Sequence, residues 1–155
     1  MTEQEKLKDM YDTFSFDVIE DYKMTTLLIK KDSSIVSLFS KKHYDEIIEQ
    51  LRAQRKISGG LHPDKLKPES EVDRDIVRRF SRALDLFNLI CDSQIKMQEL
   101  LQAKAERKKK VYMSDASEVR HTINEKTDEL KKALRELDIR WADFLDEMDE
   151  MEEEL

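Results

Sequence analysis

Apolar side chains recur along this chain at intervals of three and four residues, the period of an α-helix that buries one face. The first such stretch follows Thr2 and Glu5, which have the spacing of a capping box, so we expect its helix to start there and to run to about Tyr22. Residues 24–29 are ambiguous, because their sequence fits either an extension of this helix or a buried extended segment.

Two further helices are predicted before the middle of the chain. Asp32 has the side chain of an N-cap, so it predicts a short helix over 33–39. The next helix ends near Ile57, where Gly59 and Gly60 stop it, and residues 59–70 form a long loop. Its apolar face is formed by Tyr44, Ile47, Ile48 and Leu51.

The second half of the chain predicts two long helices. Ser70, with Asp73 three residues later, begins the first, which extends toward the lysines at 108–110. Asp115 and Glu118 are predicted to cap the second.

Apolar residues of the last helix alternate steps of four and three, which is a heptad seam that needs a partner helix. That partner lies within the chain or in a second copy. If the two long helices fold back around Met113, the acidic residues 146–154 lie beside a group of arginines. The seam consists of Leu130, Leu134, Leu137, Trp141, Phe144, Met148 and Met151. The arginines are Arg74, Arg78, Arg79 and Arg82.

The composition supports an all-α fold. Only two glycines and two prolines occur in 155 residues, which is too few for the frequent turns of a sheet-rich domain. We therefore predict a helical segment at 1–32, a helical hairpin at 33–95, and a long antiparallel helical hairpin or coiled coil at 96–155 that ends in acidic residues.

The charge, the apolar runs and the single cysteine restrict the classes of partner and the compartment. The net charge of −7 argues against nucleic acid, and no apolar run is long enough to span a membrane. The single cysteine, Cys91, cannot form an internal disulfide, and residues 1–8 do not resemble a secretory signal. We expect a cytoplasmic protein.

The loop at 59–70 contains His62, Pro63, Asp64 and Lys65. A His-Pro-Asp tripeptide between two amphipathic helices resembles the J-domain of DnaJ-type co-chaperones. The resemblance covers about residues 33–95 and implies that the short helix at 33–39 is the first J helix. It further implies that the loop binds a DnaK-class heat-shock chaperone and stimulates its ATP hydrolysis.

Residues on both sides of the loop add to this resemblance. Arg52, Arg55 and Lys56 are similar to the basic stretch that precedes the tripeptide in the family, which implies that they contact the chaperone. The spacing of residues in the following helix is also similar to the family's third helix. The residues concerned are Phe80, Phe87, Ile90 and Asp92.

Three positions depart from the family pattern. Leu61 replaces an aromatic residue, and Gln54 replaces a tyrosine. Gly59 and Gly60 lie where the family's helix continues to the loop. Because glycine costs about 1 kcal/mol in a helix, we expect this helix to end early.

The remaining chemistry gives no indication of an enzyme, a metal site or a cofactor. The three histidines, His43, His62 and His121, are far apart, and none has metal-ligand spacing with Cys91. The sequence thus favours a protein that binds a DnaK-class chaperone and delivers a client held by the C-terminal helices. The alternative is a structural or adaptor protein of a larger assembly, or a homodimer, that pairs through the seam.

Overall fold

The computed structural model describes residues 1–34, 42–106 and 113–154, and all regular structure in these ranges is helical. The predicted all-α fold is therefore confirmed. The elements are α1 (Glu3–Asp12), a π-helical segment (Thr13–Ile19), α2 (Glu20–Asp32), α3 (Tyr44–Gly59), a 3₁₀ turn (Pro63–Lys65), α4 (Glu71–Ala105) and α5 (Met113–Glu154). No described helix is long and apolar enough to cross a membrane.

The elements α1, the π-helical segment and α2 form one continuous helix, which we call the N-terminal helix. The predicted capping box is present, since the Glu5 amide donates to Thr2 Oγ1 over 3.1 Å and the Thr2 amide donates to Glu5 Oε2 over 3.3 Å. The helix continues to Asp32. The extended alternative for residues 24–29 is therefore wrong.

The predicted short helix at 33–39 lies almost entirely outside the described residues. Asp32 itself is the last residue of α2, and its carboxylate binds the start of the next element. The backbone amide of His43 donates to Asp32 Oδ2 over 2.7 Å, and His43 Nδ1 lies 2.7 Å from Asp32 Oδ1. Asp32 thus holds the end of α2 beside the start of α3.

Helices α3 and α4 pack side by side in opposite directions. Ser58, near the end of α3, donates to Asn88 over 2.6 Å. Arg52, earlier in α3, pairs with Glu99, later in α4, over 3.3 Å. Residue numbers fall along one helix as they rise along the other, which defines an antiparallel pair joined by the loop at 60–70.

Helices α4 and α5 form the predicted antiparallel hairpin, but its register differs from the prediction. Arg140 Nε donates to Asp75 over 3.0 Å, and Arg79 pairs with Glu136 over 3.4 Å. This register places the middle of α5 beside the arginines of α4. No ion pair among the described residues joins residues 146–154 to those arginines.

The limits of the two long helices also differ from the prediction. Helix α4 ends at Ala105 rather than at the lysines, which lie outside the described residues. Helix α5 begins at Met113, so Asp115 lies within its first turn and does not cap it. The predicted cap of α4 is confirmed, because the Asp73 amide donates to Ser70 Oγ over 3.0 Å.

One apolar core joins all of the long helices. It contains residues from each of the three predicted segments, and those segment boundaries stay a prediction. Its largest fully buried side chains include Phe14, Phe80, Phe87 and Phe144. A second, smaller cluster of Met97, Val119 and Ile123 lies farther along α4 and α5.

Candidate interaction loop between α3 and α4

Helix α3 stops at the glycine pair, as predicted, but it ends two residues beyond the predicted end near Ile57. Its last residue is Gly59, and the amide of Gly60 donates to the carbonyl oxygens of Lys56 and Ile57 over 3.2 and 3.1 Å. Gly60 has a φ of −89°, so this helix end does not depend on the left-handed conformation that glycine favours. The last turn stays helical because the backbone bonds close without strain.

Gly59 makes room for an arginine side chain. A Cβ atom at this position would lie 2.6 Å from an Arg55 guanidinium nitrogen. Arg55 Nε donates to Asp92 over 3.0 Å, which ties the end of α3 to α4. The absence of a side chain at Gly59 thus allows Arg55 to cross to its partner.

The tripeptide forms a short 3₁₀ turn with one buried and two exposed side chains. The Lys65 amide donates to the His62 carbonyl over 3.1 Å, and Pro63 begins the turn with its ring buried. His62, Asp64 and Lys65 are exposed. Because proline fixes φ and its ring is held by packing, the turn presents the His62 and Asp64 side chains from a constrained backbone.

Two leucines anchor the turn on either side. Leu61 and Leu66 are half-buried and pack against the main core. Leu61, where the family has an aromatic residue, therefore still supplies an apolar anchor directly before His62. The anchors limit how far the loop can move away from α4.

A shallow cavity of about 330 Å³ lies between the loop and α4. Asp64 lines it from the loop, and Asp85 and Ser81 line it from α4. The Ser81 hydroxyl is buried and has no hydrogen-bond partner among the described residues. The two exposed carboxylates, those of Asp64 and Asp85, could together receive a guanidinium or ammonium group from a partner protein.

The basic residues of α3 are exposed to different degrees. The Arg52 side chain is 66% exposed even though it pairs with Glu99. Arg55 is less exposed and pairs with Asp92, whereas Lys56 is exposed. Arg52 and Lys56 are thus the more accessible of the three for contact with an acidic partner, since exposed ion pairs exchange at little cost.

Sequence reasoning missed the residues that complete the cavity from α4. In the sequence, these residues look like ordinary solvent-facing positions of an amphipathic helix. They are Ser81, Asp85 and Asn88, which recur at helical spacing. Only the packing of the loop along α4 shows that they face His62 and Asp64.

The predicted seam of α5 is used inside the chain. Four of its members are buried in the main core, two are half-buried against it, and Met151 is 47% exposed. The partner helices of the seam are therefore those of the same chain. The buried members are Leu130, Leu137, Trp141 and Phe144, and the half-buried ones are Leu134 and Met148.

Other reactive groups lie apart from the loop. Burial raises the pKa of the Cys91 thiol to about 12, so this side chain is a core residue rather than a nucleophile at neutral pH. No cluster of potential metal ligands occurs in the part of the chain that the structure describes.

Comparisons of the chain with protein-family models, with curated proteins and with solved structures found no match. The resemblance to J-domains therefore depends on the residues of the loop and of the two helices beside it.

Proposed function

We propose that this protein is a J-domain-like co-chaperone, which binds a DnaK-class heat-shock ATPase through the loop at His62–Lys65 and stimulates its ATP hydrolysis. The observation that carries the proposal is the exposed His62 and Asp64 on a turn anchored between two antiparallel helices. The function requires contact with a partner and no chemistry by this chain.

The anchored turn supports the proposal on energetic grounds. A loop that is already held in its binding conformation loses little conformational entropy when the partner arrives. Here the Pro63 ring is buried, and Leu61 and Leu66 pack against the core. The His62 and Asp64 side chains therefore start close to the arrangement that a partner would meet.

The charges around the turn support a partner with both signs of charge. Asp64 and Asp85 offer carboxylates for an arginine or lysine of the partner, and charge-assisted hydrogen bonds of this kind are stronger than neutral ones. Arg52 and Lys56 on α3 would attract acidic groups nearby and increase the rate of encounter.

The client would be held by the C-terminal helices. Helix α5 exposes several large apolar side chains that have no place in the core, and such side chains can contact unfolded or partly folded chains. The most exposed are Ile139 at 75% and Met151 at 47%.

The test is steady-state ATP hydrolysis by a DnaK-class chaperone with and without this protein. We expect stimulation by the wild type and loss of stimulation in His62→Gln, because glutamine cannot reproduce the contacts of the imidazole. His121→Gln is the matched control, since this histidine is 78% exposed and lies on α5, away from the loop.

Circular dichroism of both variants would establish that they are folded. Equal stimulation by the wild type and by His62→Gln would contradict the proposal. So would the absence of stimulation when the chaperone comes from the same host.

The seam gives the adaptor alternative no specific support, because most of its residues are buried within the chain. Of the seven seam residues, only Met151 is largely exposed. An adaptor that pairs through Leu130–Phe144 would first have to open the core.

A further inference from the structure

Helix α4 carries a row of arginines on its outer face. Arg74, Arg78 and Arg82 are exposed and follow one another at intervals of four residues, so they lie on one side of the helix over about 12 Å. We call this row the arginine stripe. Neither Arg74 nor Arg82 forms an ion pair with any described residue, whereas Arg78 pairs with Asp75.

The stripe borders a shallow cavity of about 600 Å³ that is rich in arginine. Asp75, at its base, binds Arg79 over 2.9 Å and Arg140 over 3.0 Å, and also binds Arg78. One half-buried carboxylate therefore binds three guanidinium groups, of which that of Arg78 belongs to the stripe. The cavity is lined by Glu71, Arg74, Asp75, Arg78, Arg79 and Arg140.

The end of α5 has the opposite charge. Residues 146–154, which we call the acidic segment, contain seven carboxylates and no basic residue. Like charges three and four residues apart destabilise a helix, and a cationic neighbour would relieve this repulsion. Residues 149–154 are exposed, so the chain itself does not supply such a neighbour.

The register of the hairpin prevents the acidic segment from covering the stripe of its own chain. Asp75 pairs with Arg140, and Arg79 pairs with Glu136. The start of α4 lies beside the first residues of the acidic segment, where Met148 packs against the core and where burial and the nearby charge of Glu147 raise the pKa of Asp73. The exposed residues 149–154 follow these contacts.

The two charged surfaces have matching dimensions. Along the acidic segment, exposed carboxylates recur at the same interval of four residues as the arginines of the stripe, and both rows are about 12 Å long. Two copies that meet end to end could place each acidic row on the other copy's stripe. A twofold arrangement would make both contacts at once. The acidic row consists of Asp146, Glu150 and Glu154.

An apolar side chain on the acidic segment adds to this argument. Met151 continues the heptad seam beyond the point where α4 begins, and it is 47% exposed. A second copy laid along the segment would bring α4 beside Met151 and provide the helix that the seam lacks there.

We propose that the arginine stripe is a docking surface for the acidic segment of a second copy of this chain, in a reciprocal dimer. The surface is separate from the His62 loop, so dimerisation does not depend on the proposed co-chaperone function.

The first experiment is sedimentation velocity of the full chain at two ionic strengths. We expect dimers at about 0.01 M salt and monomers at about 1 M salt, because the screening length falls from about 30 Å to about 3 Å. A monomer at low salt throughout the accessible concentration range would overturn the proposal.

Charge reversal then tests which surfaces meet. In one variant, Arg74→Glu and Arg82→Glu reverse the stripe. In the other, Asp146→Lys and Glu150→Lys reverse the acidic row. Since like charges then face each other in both contacts, we expect each variant alone to lose at least about tenfold in association constant. All four positions are exposed, so circular dichroism should show folded helices.

Mixing the two variants provides the decisive result. The mixed dimer has two contacts. In one, an acidic row meets a basic stripe, and in the other, a basic row meets an acidic stripe, so we expect dimers to return. A mixture that stays monomeric, or a reversed variant that dimerises as well as the wild type, would overturn the proposal. If the wild type stays monomeric and binds a polyanion such as heparin, the stripe would be assigned to another ligand.

Discussion

Helix α4 passes through two environments that differ in what its buried face contacts. From Ile76 to Cys91, its apolar residues pack against both the N-terminal helix and α5. From Gln94 onward, its buried residues include two glutamines, Gln94 and Gln98. A small apolar cluster joins this part of α4 to α5. We call the first the aromatic half and the second the glutamine end.

Ring contacts tie the aromatic half together. Phe87 meets Phe14 edge to face at 5.7 Å, and Tyr11 stacks on Trp141 at 3.9 Å. Each such pair adds about 0.5–1.5 kcal/mol beyond the burial of its area. The glutamine end has no ring pair among the described residues.

Polar atoms weaken the glutamine end. Gln94 Nε2 donates to the Tyr22 hydroxyl over 3.3 Å, but Gln98 Oε1 is buried without a hydrogen-bond partner. The contrast shows that a single amphipathic helix does not distribute stability evenly. Between Ile76 and Cys91 the buried side chains of α4 are apolar apart from the Ser81 hydroxyl, whereas from Gln94 onward two of the buried side chains are amides.

The largest expected effect is the loss of a ring from the aromatic half. Phe87→Ala should lower the free energy of unfolding by about 3–5 kcal/mol, because it removes a fully buried ring and leaves a cavity. Denaturant titration measures this. Ile123→Val at the glutamine end is the comparison, with an expected loss of about 0.5–1.5 kcal/mol. Equal losses at the two positions would remove the contrast between the two halves.

Alkaline pH should destabilise the aromatic half through two acids, Cys91, which is buried, and Tyr22, which is half-buried. Burial raises the pKa of Tyr22 from 10.0 to about 12 and that of Cys91 from 9.0 to about 12. Between these values the unfolded chain releases protons that the folded chain retains, so rising pH favours unfolding. The free energy of unfolding should therefore be level below about pH 9 and fall toward pH 12.

Tyr22→Phe tests the assignment of this pH dependence. Above about pH 10, the variant should lose stability less steeply than the wild type. The two slopes should differ by up to about 1.4 kcal/mol per pH unit, because the variant lacks one titrating proton. Denaturant titrations at a series of pH values measure the slope. An unchanged slope would show that Tyr22 is accessible to solvent rather than buried against Phe87.

A gain in stability is expected from removing the unsatisfied amide. Gln98→Met should raise the free energy of unfolding by roughly 1–3 kcal/mol, because the buried acceptor disappears while the volume is nearly kept. Gln94→Met is the matched control, and it should gain less because it also removes the donor to Tyr22. A loss of stability in Gln98→Met would mean that the amide is satisfied in solution.

The smallest effect is expected at the exposed pair between α3 and α4. Glu99→Gln should change the free energy of unfolding by no more than about 1 kcal/mol, because the side chains of Arg52 and Glu99 are both more than half exposed. The same variant frees Arg52, so it should maintain or increase the stimulation of a DnaK-class ATPase under the proposed function. A larger loss of stability would show that the pair contributes to the core contact of these helices.

The sequence predicted the helices well where local chemistry sets their limits. The capping residues Thr2 and Ser70 begin helices because their hydroxyls bind amides three residues later, a contact that needs no distant partner. The apolar spacing of α3 and α4 likewise identified buried positions such as Ile47, Phe80 and Phe87. The loop motif was visible because its residues are adjacent in the chain.

The sequence could not determine what depends on helix packing. The glycine pair predicted that α3 would end near Ile57; the helix ends at Gly59, and Arg55, in its last turns, binds Asp92 of α4. The hairpin was predicted, but its register was wrong, because charge patterns alone cannot choose between offsets along two long helices. In the observed register, the apolar faces of the two helices share one core and Asp75 binds an arginine of each helix.

The sequence by itself determined that this protein is helical, where most of its helices begin, and that His62–Lys65 lies in a loop between two of them. These features follow from periodicity, capping and backbone preferences, which act over a few residues. The tertiary structure alone decided that the seam of α5 is buried within the chain, that Asp64 shares a cavity with Asp85, and that the acidic segment does not cover the arginine stripe. Each of these depends on contacts between residues far apart in sequence, which form only when the helices pack.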